Sequence, residues 1–543
     1  MTCAYLPRFL AGTALALVLT ALGTAQSTSQ IHDPAAGLRE PVFMSKPAGF
    51  ARAVIYGTGG HYASSVAIAD LNRDGKPDLA VANFCQTGSD GNSDCNAGGA
   101  VSVLLGNGDG TFQPSVTYSS GGTAASSVAI ADVNGDGFPD LLVANQCLTP
   151  TNCANGVVGV LLGNGDGTFR SPVTYAAGNG AQSVAVADLN GDGHPDLAVA
   201  DECLSANSCS NGGVSILLGY GNGTFQASTT YNSGGQDALS IAIKDLDADS
   251  IPDVIVANQC FSKFNCNNGG VSVLLGNGNG TLRSSTSYSS GGYAALSIVV
   301  ADVNRDGRPD VLATSLCSDS NNCVDGVIGV LVGKGDGTLK PPVTYSSNGY
   351  GASSVAVGDM NGDGVSDLVV DNICKTSSNC AKGGISLLAG NGDGTFQPPL
   401  LYSSGGNDAT SVAIADLNGD NKLDIVTAND CITRNDCNGI VAILLNSSLL
   451  KTTTTLSSAP NPSGVGQSVT LTATTSSTSS IPDGELVTFY QGSVVLGTGA
   501  TSHGVASLIT SFSKAGSFTI KAKYPGDAFH KASTGKATQV VTQ

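Results

Sequence analysis

Seven nine-residue segments of this chain carry oxygen-bearing side chains at positions 1, 3, 5 and 9. The first three are Asp70, Asn72, Asp74 and Asp78; Asp132, Asn134, Asp136 and Asp140; Asp188, Asn190, Asp192 and Asp196. The fourth is Asp245, Asp247, Asp249 and Asp253. The last three are Asp302, Asn304, Asp306 and Asp310; Asp359, Asn361, Asp363 and Asp367; Asp416, Asn418, Asp420 and Asp424. Position 6 is glycine except for Ser250 and Asn421. Such spacing wraps a short segment round a hard, oxygen-seeking cation such as calcium, with the glycine allowing the sharp turn. A helix–loop–helix version would need glutamate at position 12, which is absent. The flanks alternate or run apolar, as in Ser127–Ala131 and Leu141–Ala144, so each loop joins two strands. Read only as turns rich in Asp, Asn and Gly, the segments give no reason for an aspartate at position 9.

The elements that must hold these loops recur with them. The loops start 56 to 62 residues apart, a period typical of propellers or arrays. Each repeat reads as four strands: one entering the loop, one leaving it, a third such as Val101–Leu105, and a fourth such as Pro114–Ser119. A Gly-Asn-Gly-Asp-Gly-Thr-Phe type of hairpin joins the last two at 106–112, 163–169, 219–225, 276–282, 333–339 and 390–396. The seventh repeat lacks that hairpin and its fourth strand. A matching strand stands early, at Phe50–Gly57. Strands in groups of four, the last group completed from the N-terminal side, describe a closed ring. Closure would remove the exposed end edges.

Composition bounds the rest. The net charge of −18 argues against nucleic acid or anionic membrane as partner. Of 42 acidic residues, 22 lie in the seven loops, so seven divalent cations would leave about −4. Fourteen cysteines fall two to a repeat: Cys85 and Cys95, Cys147 and Cys153, Cys203 and Cys209, Cys260 and Cys266, Cys317 and Cys323, Cys374 and Cys380, Cys431 and Cys437. Local disulfides in an oxidising compartment fit this spacing, and two thiolates without a nearby histidine do not close a zinc site. At the N-terminus, Arg8, the apolar run Phe9–Leu22 and the small residues Gly23-Thr-Ala25 read as a secretory signal peptide over 1–25. Residues 26–49 read as a linker, and no later segment is apolar and long enough to span a bilayer.

At this point the residues resemble a family. The sevenfold Asp-x-Asn-x-Asp-Gly-x-x-Asp loop together with Gly-Asn-Gly-Asp-Gly-Thr-Phe is similar to the FG-GAP/VCBS repeats, related to the propeller of integrin alpha chains. The resemblance spans 50–448. It implies an all-β, seven-bladed propeller with calcium between the first and second strands of each blade. In blade one the implied ligands are Asp70, Asn72, Asp74, Asp78 and the Lys76 carbonyl, and the other blades follow. Up to seven structural Ca²⁺ ions are thus expected. Ser250 is the departure bearing most on occupancy, since serine takes a left-handed backbone less readily than asparagine. Residues 451–543, with Asn461-Pro-Ser-Gly-Val-Gly-Gln and Tyr524-Pro-Gly-Asp, resemble bacterial Ig-like domains, which act as spacers or adhesive units.

The function expected is therefore that of a secreted or cell-surface calcium-binding module that binds an extracellular protein or glycan, and not an enzyme. A lectin, or a non-catalytic part of a polysaccharide-degrading system, is the alternative. The lack of tryptophan weighs against a lectin, and 14 tyrosines keep it open. Catalysis needs a nucleophile, a base or an open metal position, whereas the repeats offer only His61 and His194, without recurring partners. Recognition is expected on the face carrying the cysteine hairpins, whose tips differ between repeats. Phe261, Lys263 and Phe264 are the most contact-prone of these tips.

Overall fold

The computed structural model describes residues 49–543, apart from 89–92, 154, 206–208, 263–265, 321–322, 378–379, 434–435, 447–450, 478–480, 482 and 527–529. The signal peptide expected over 1–25 lies outside the described residues, as does the linker 26–49 apart from Gly49. All described regular elements are strands.

Each repeat folds in chain order as an antiparallel meander. In the second repeat Thr123–Ala131, Asp140–Cys147, Val157–Leu161 and Val173–Ala176 pair in that sequence. Burial explains the residue choice. Asp140–Ala144 and Val157–Leu161 are buried throughout, which is why they read as continuous apolar runs instead of alternating. The fourth strand, Val173–Ala176, is mostly exposed and turns only Tyr175 inward. Five sheets of this kind stand between residues 123 and 403.

The remaining repeats share one larger sheet. Val54–Ala69 is a single strand of 16 residues, where the sequence suggested two separated by Gly57-Thr-Gly-Gly60. Its first part pairs with the last repeat, Val54 opposite Ile443 and Gly57 opposite Ile440. Its second part pairs with Asp78–Asn83. Gly59 takes φ +78°, and Thr58 is wholly buried, its single hydroxyl proton shared between Asn83 Oδ1 at 2.5 Å and Gly439 O at 3.0 Å from Oγ1. Those bonds carry the strand through what looked like a break.

Neighbouring sheets meet through apolar seams. Val101, Val103, Val128, Leu141, Val143, Leu161 and Phe169 form one such cluster. Val426, Val441 and Ile443 of the last repeat form another with Val66, Leu79 and Val81 of the first. In the four hairpins that end in phenylalanine, the ring seats edge-on against the fourth-strand tyrosine of the preceding repeat, Phe112 on Tyr56 included. Tyr118–Phe169 (5.7 Å), Tyr175–Phe225 (5.4 Å) and Tyr345–Phe396 (5.5 Å) are examples. Hydroxyls bridge the first strands: Ser64 Oγ to Ala125 O at 2.8 Å, Ser126 Oγ to Ala181 O at 2.9 Å, and Ser353 Oγ to Ala409 O at 2.8 Å. Thr410 Oγ1 makes the same bond to Ala63 O at 2.7 Å.

The C-terminal part is a two-sheet sandwich. Thr453–Ala459, Ser468–Ser476 and Val505–Ser511 form one sheet. Ser463–Gly464, Ser533–Thr542, Gly516–Tyr524, Leu486–Gln491 and Val494–Ala500 form the other. Val469, Leu471, Phe489, Ile520 and Tyr524 fill the space between them.

Two predictions follow from the seams. Phe169→Ala removes a buried ring with a specific aromatic partner and should cost about 3–5 kcal/mol, read as a lower denaturant midpoint. Asp371 is wholly buried, and only its Oδ2 is engaged, by Thr427 Oγ1 at 2.6 Å. Burial raises its pKa to about 8, an effect only partly opposed by that hydroxyl. A carboxyl that keeps its proton when folded and loses it near 3.8 when unfolded makes stability fall as pH rises between about 4 and 8. Asp371→Asn should flatten that fall in pH-dependent unfolding curves.

Candidate metal loops

The seven loops share one hydrogen-bond plan in which side chains hold the backbone in a ring. The position 1 carboxylate accepts the position 6 N–H through Oδ2, as Asp132 does from Gly137 at 2.8 Å. The position 3 oxygen accepts the position 5 N–H, as Asn134 does from Asp136 at 2.9 Å. Position 5 in turn accepts the N–H of position 7, as Asp136 does from Phe138 at 2.8 Å. Position 6 is left-handed throughout, including Ser250 (φ 67°) and Asn421 (φ 60°). Ser250 thus adopts the turn despite its side chain, at a cost of about 1–2 kcal/mol. Position 4 is left-handed as well, at Arg73 and Arg305 (both φ 61°) and at Ala248 (φ 62°) as at Gly135, Gly191, Gly362 and Gly419, the glycines that signal it in the other four loops.

Position 9 has a structural task of its own, contrary to the expectation that only a cation would call for it. Asp140 is wholly buried; its Oδ2 accepts Val133 N at 3.0 Å and its Oδ1 accepts Gly163 N at 2.8 Å. The same pair of bonds recurs at Asp78, Asp196, Asp253, Asp310, Asp367 and Asp424. This carboxylate ties its loop to the hairpin between the third and fourth strands, or to Asn446 in the last repeat. Burial raises its pKa in every repeat, to about 6 at Asp140, Asp253 and Asp424 and about 7 at Asp367. The two backbone bonds oppose the rise and the neighbouring loop aspartates add to it.

The donor set suits a hard cation: carboxylate and amide oxygens on a backbone already curled round them. In the fourth loop oxygens of Asp245, Asp247 and Asp253 lie within 4.8 Å of one another, and Asp245 Oδ1 is buried without a hydrogen-bond partner. A divalent ion would satisfy that oxygen. The loop that looked weakest in sequence therefore gathers its carboxylates well. In the seventh loop Lys422 Nζ lies 2.8 Å from Asp420 Oδ2, both nearly buried.

The other singled-out residues are more scattered. His61 is buried, its Nδ1 3.2 Å from Cys437 O, and His194 is an exposed loop residue. They share no site. Cys85–Cys95, Cys147–Cys153, Cys203–Cys209, Cys260–Cys266, Cys317–Cys323, Cys374–Cys380 and Cys431–Cys437 are all bonded as expected. Phe261 is half-buried; Lys263 and Phe264 lie outside the described residues. Asp237 is held at φ 53° beside Glu202, its carboxyl raised to about 6 first by burial and then by that neighbour. A cavity of about 310 Å³ is lined by Asn211, Tyr231, Asn232 and Arg283 among others. Leu282 stands there, as Leu339 does in the next repeat, where the other four hairpins carry phenylalanine.

Comparison with known proteins agrees with the repeat pattern. The FG-GAP-like repeat family matches residues 89–143, 151–199, 200–256, 245–313, 317–370 and 377–427, and the FG-GAP repeat matches 62–104. The bacterial Ig-like domain (group 3) matches 456–543. A stretch of 125 residues is 32% identical to phosphatidylinositol-glycan-specific phospholipase D of Bos taurus, covering 22% of this chain and 14% of that protein. A biofilm matrix protein of V. cholerae is similar at 14% identity and TM-score 0.37, over 71% of this chain and 88% of that one. An extracellular domain of a B. thetaiotaomicron one-component system is similar at 9% identity and TM-score 0.40, over 92% and 58%.

The geometry separates two roles inside one loop. Asp140→Ala strands two buried N–H groups and should lower stability by about 2–5 kcal/mol with or without calcium. Asp136→Ala, on the exposed side, should lower it appreciably only when calcium is present. Denaturant midpoints of both variants in calcium and in chelator check this.

Proposed function

The chain belongs to the FG-GAP repeat family and ends in a bacterial Ig-like domain, and from that premise we propose a secreted or cell-surface calcium-binding module that recognises an extracellular protein or glycan without catalysing a reaction. Its repeats close into a seven-bladed propeller in this reading. The observation that carries closure is the pairing of Val54–Gly57 with Ile440–Ile443, supported by the Thr410–Ala63 bond, which repeats the link between other consecutive repeats. Disulfide-braced hairpins suit an oxidising, extracellular setting, and among the described residues no helix is long and apolar enough to cross a membrane.

Calcium serves structure in this proposal. Asp70, Asn72, Asp74 and Asp78, and their equivalents in the other loops, hold it, while the position 9 carboxylate also keeps loop and hairpin together. At extracellular affinities of about 10⁻⁴–10⁻³ M, millimolar calcium stabilises each site by only about 1 kcal/mol. Seven sites together decide whether the ring stays shut. A glycan as ligand is favoured by the cavity lined by Tyr231 together with Asn211, Asn232 and Arg283.

Thermal unfolding followed across a calcium titration tests the metal reading. The midpoint should climb steadily from micromolar to millimolar calcium and fall back with chelator; a midpoint indifferent to calcium overturns it. Binding to glycan and matrix-protein arrays, with turnover of the same polymers assayed alongside, tests the rest.

A further inference from the structure

The charge of this chain is divided unevenly. Residues 451–543 hold six lysines against Asp483, Glu485 and Asp527, a net of +3 inside a chain of −18. Three of those lysines share one face of the sandwich. Along Gly516–Tyr524 the side chains alternate: Ile520, Ala522 and Tyr524 enter the core, so Lys521 and Lys523 point outward. In the neighbouring strand Ser533–Thr542, Lys536 is exposed on the same face.

Register brings the three together. Lys521 stands directly opposite Lys536 on one side and Tyr490 on the other. Lys523 lies between Thr488 and Thr534 in the next outward row. Directly opposed residues have Cβ atoms about 4.5–5.5 Å apart, and Lys521 and Lys523 are separated by about 7 Å along their strand. A like-charge pair directly across a ladder destabilises the sheet. Among the described residues no ion pair relieves it, the two ion pairs present being Lys76–Asp74 and Lys422–Asp420 in the repeats. Asp483 is engaged elsewhere, accepting His503 N at 2.6 Å.

We propose that this face of the Ig-like domain binds an acidic polysaccharide whose carboxylates the three ammonium groups meet. The charge of the face calls for an anion. Its spread over three paired strands suits an extended polymer better than a small molecule, and the flanking Tyr490, Thr488 and Thr534 offer a ring and hydroxyls to sugar. Carboxylates spaced one or two sugars apart suit a chain of −18, which repels a densely charged polyphosphate. The site is independent of the calcium loops, and calcium is held fixed throughout its test.

The test uses the full chain on immobilised polygalacturonate, with dextran sulfate, neutral dextran and double-stranded DNA alongside. The triple substitution Lys521→Gln, Lys523→Gln and Lys536→Gln should weaken polygalacturonate binding about tenfold or more, and raising salt from about 0.05 to 0.3 M should do the same to the parent. Lys451→Gln with Lys514→Gln should change it less than about twofold. The triple variant should unfold at the same temperature as the parent or slightly higher, so lost binding is not lost folding. Unchanged binding by the triple variant, equal binding to neutral dextran, binding to dextran sulfate alone, tighter binding to DNA, or self-association through this face in sedimentation each overturn the proposal.

Discussion

Each repeat depends on one carboxylate taken out of water and given two backbone N–H groups in exchange. The ninth-position aspartate, Asp140 in the second repeat, is held by Val133 N from its own loop and by Gly163 N from the hairpin beyond the next strand. Leaving such a charge buried is costly, and its raised pKa records the penalty. Short backbone bonds offset part of it. The result is a rigid connection between the two turns at one end of every sheet, on which the oxygens at positions 1, 3 and 5 are then arranged. A cation bound there would add charge compensation to a loop already shaped by its own side chains.

Between repeats the stabilisation changes character. The seams are filled by valine, leucine and isoleucine from strands with no exposed face, each worth about 1.5–3 kcal/mol on burial. They are fixed in register by a few directional contacts: hairpin phenylalanine on fourth-strand tyrosine, and hydroxyl to carbonyl between first strands. Polar substitutions inside the seams are rare and local. Asp371 and Thr427 stand where other repeats mostly carry alanine (Thr314 in the fifth) and valine, and they answer one another across the sheets that hold them. Asp201 replaces the buried asparagine of five other repeats (the fifth has Ser315), and Ala177 replaces the hydroxyl residue facing it; Asp201 accepts from Gly178 N at 3.0 Å and Ser215 Oγ at 2.7 Å.

The two parts of the chain use their surfaces differently. The repeats concentrate acid in the loops, where it is bonded to backbone. The C-terminal sandwich has few acids and leaves Lys523 and Lys536 exposed. Disulfides brace one hairpin per repeat while the hairpin tips vary. Rigid support beneath varied surface is the usual arrangement for recognition.

Periodicity alone determined a good deal here. The spacing of Asp, Asn and Gly fixed the position of every loop, the cysteine pairs their disulfides, and the apolar runs the second and third strands, because each of these signals is local and repeats in register. The Ig-like strands were legible from alternation, with ends a few residues off. What stayed hidden depends on residues distant in sequence. The partner of Asp140 is Gly163, and nothing local distinguishes a buried double acceptor from a metal ligand. Ser120, which reads as part of a polar connection, is buried against Asn145 Oδ1 at 2.5 Å. Val54–Ala69 runs unbroken through its glycines because Thr58 finds Gly439. The convergence of Asp245, Asp247 and Asp253, and the placing of Lys521 opposite Lys536, were decided by loop closure and strand register, which only the packed chain sets.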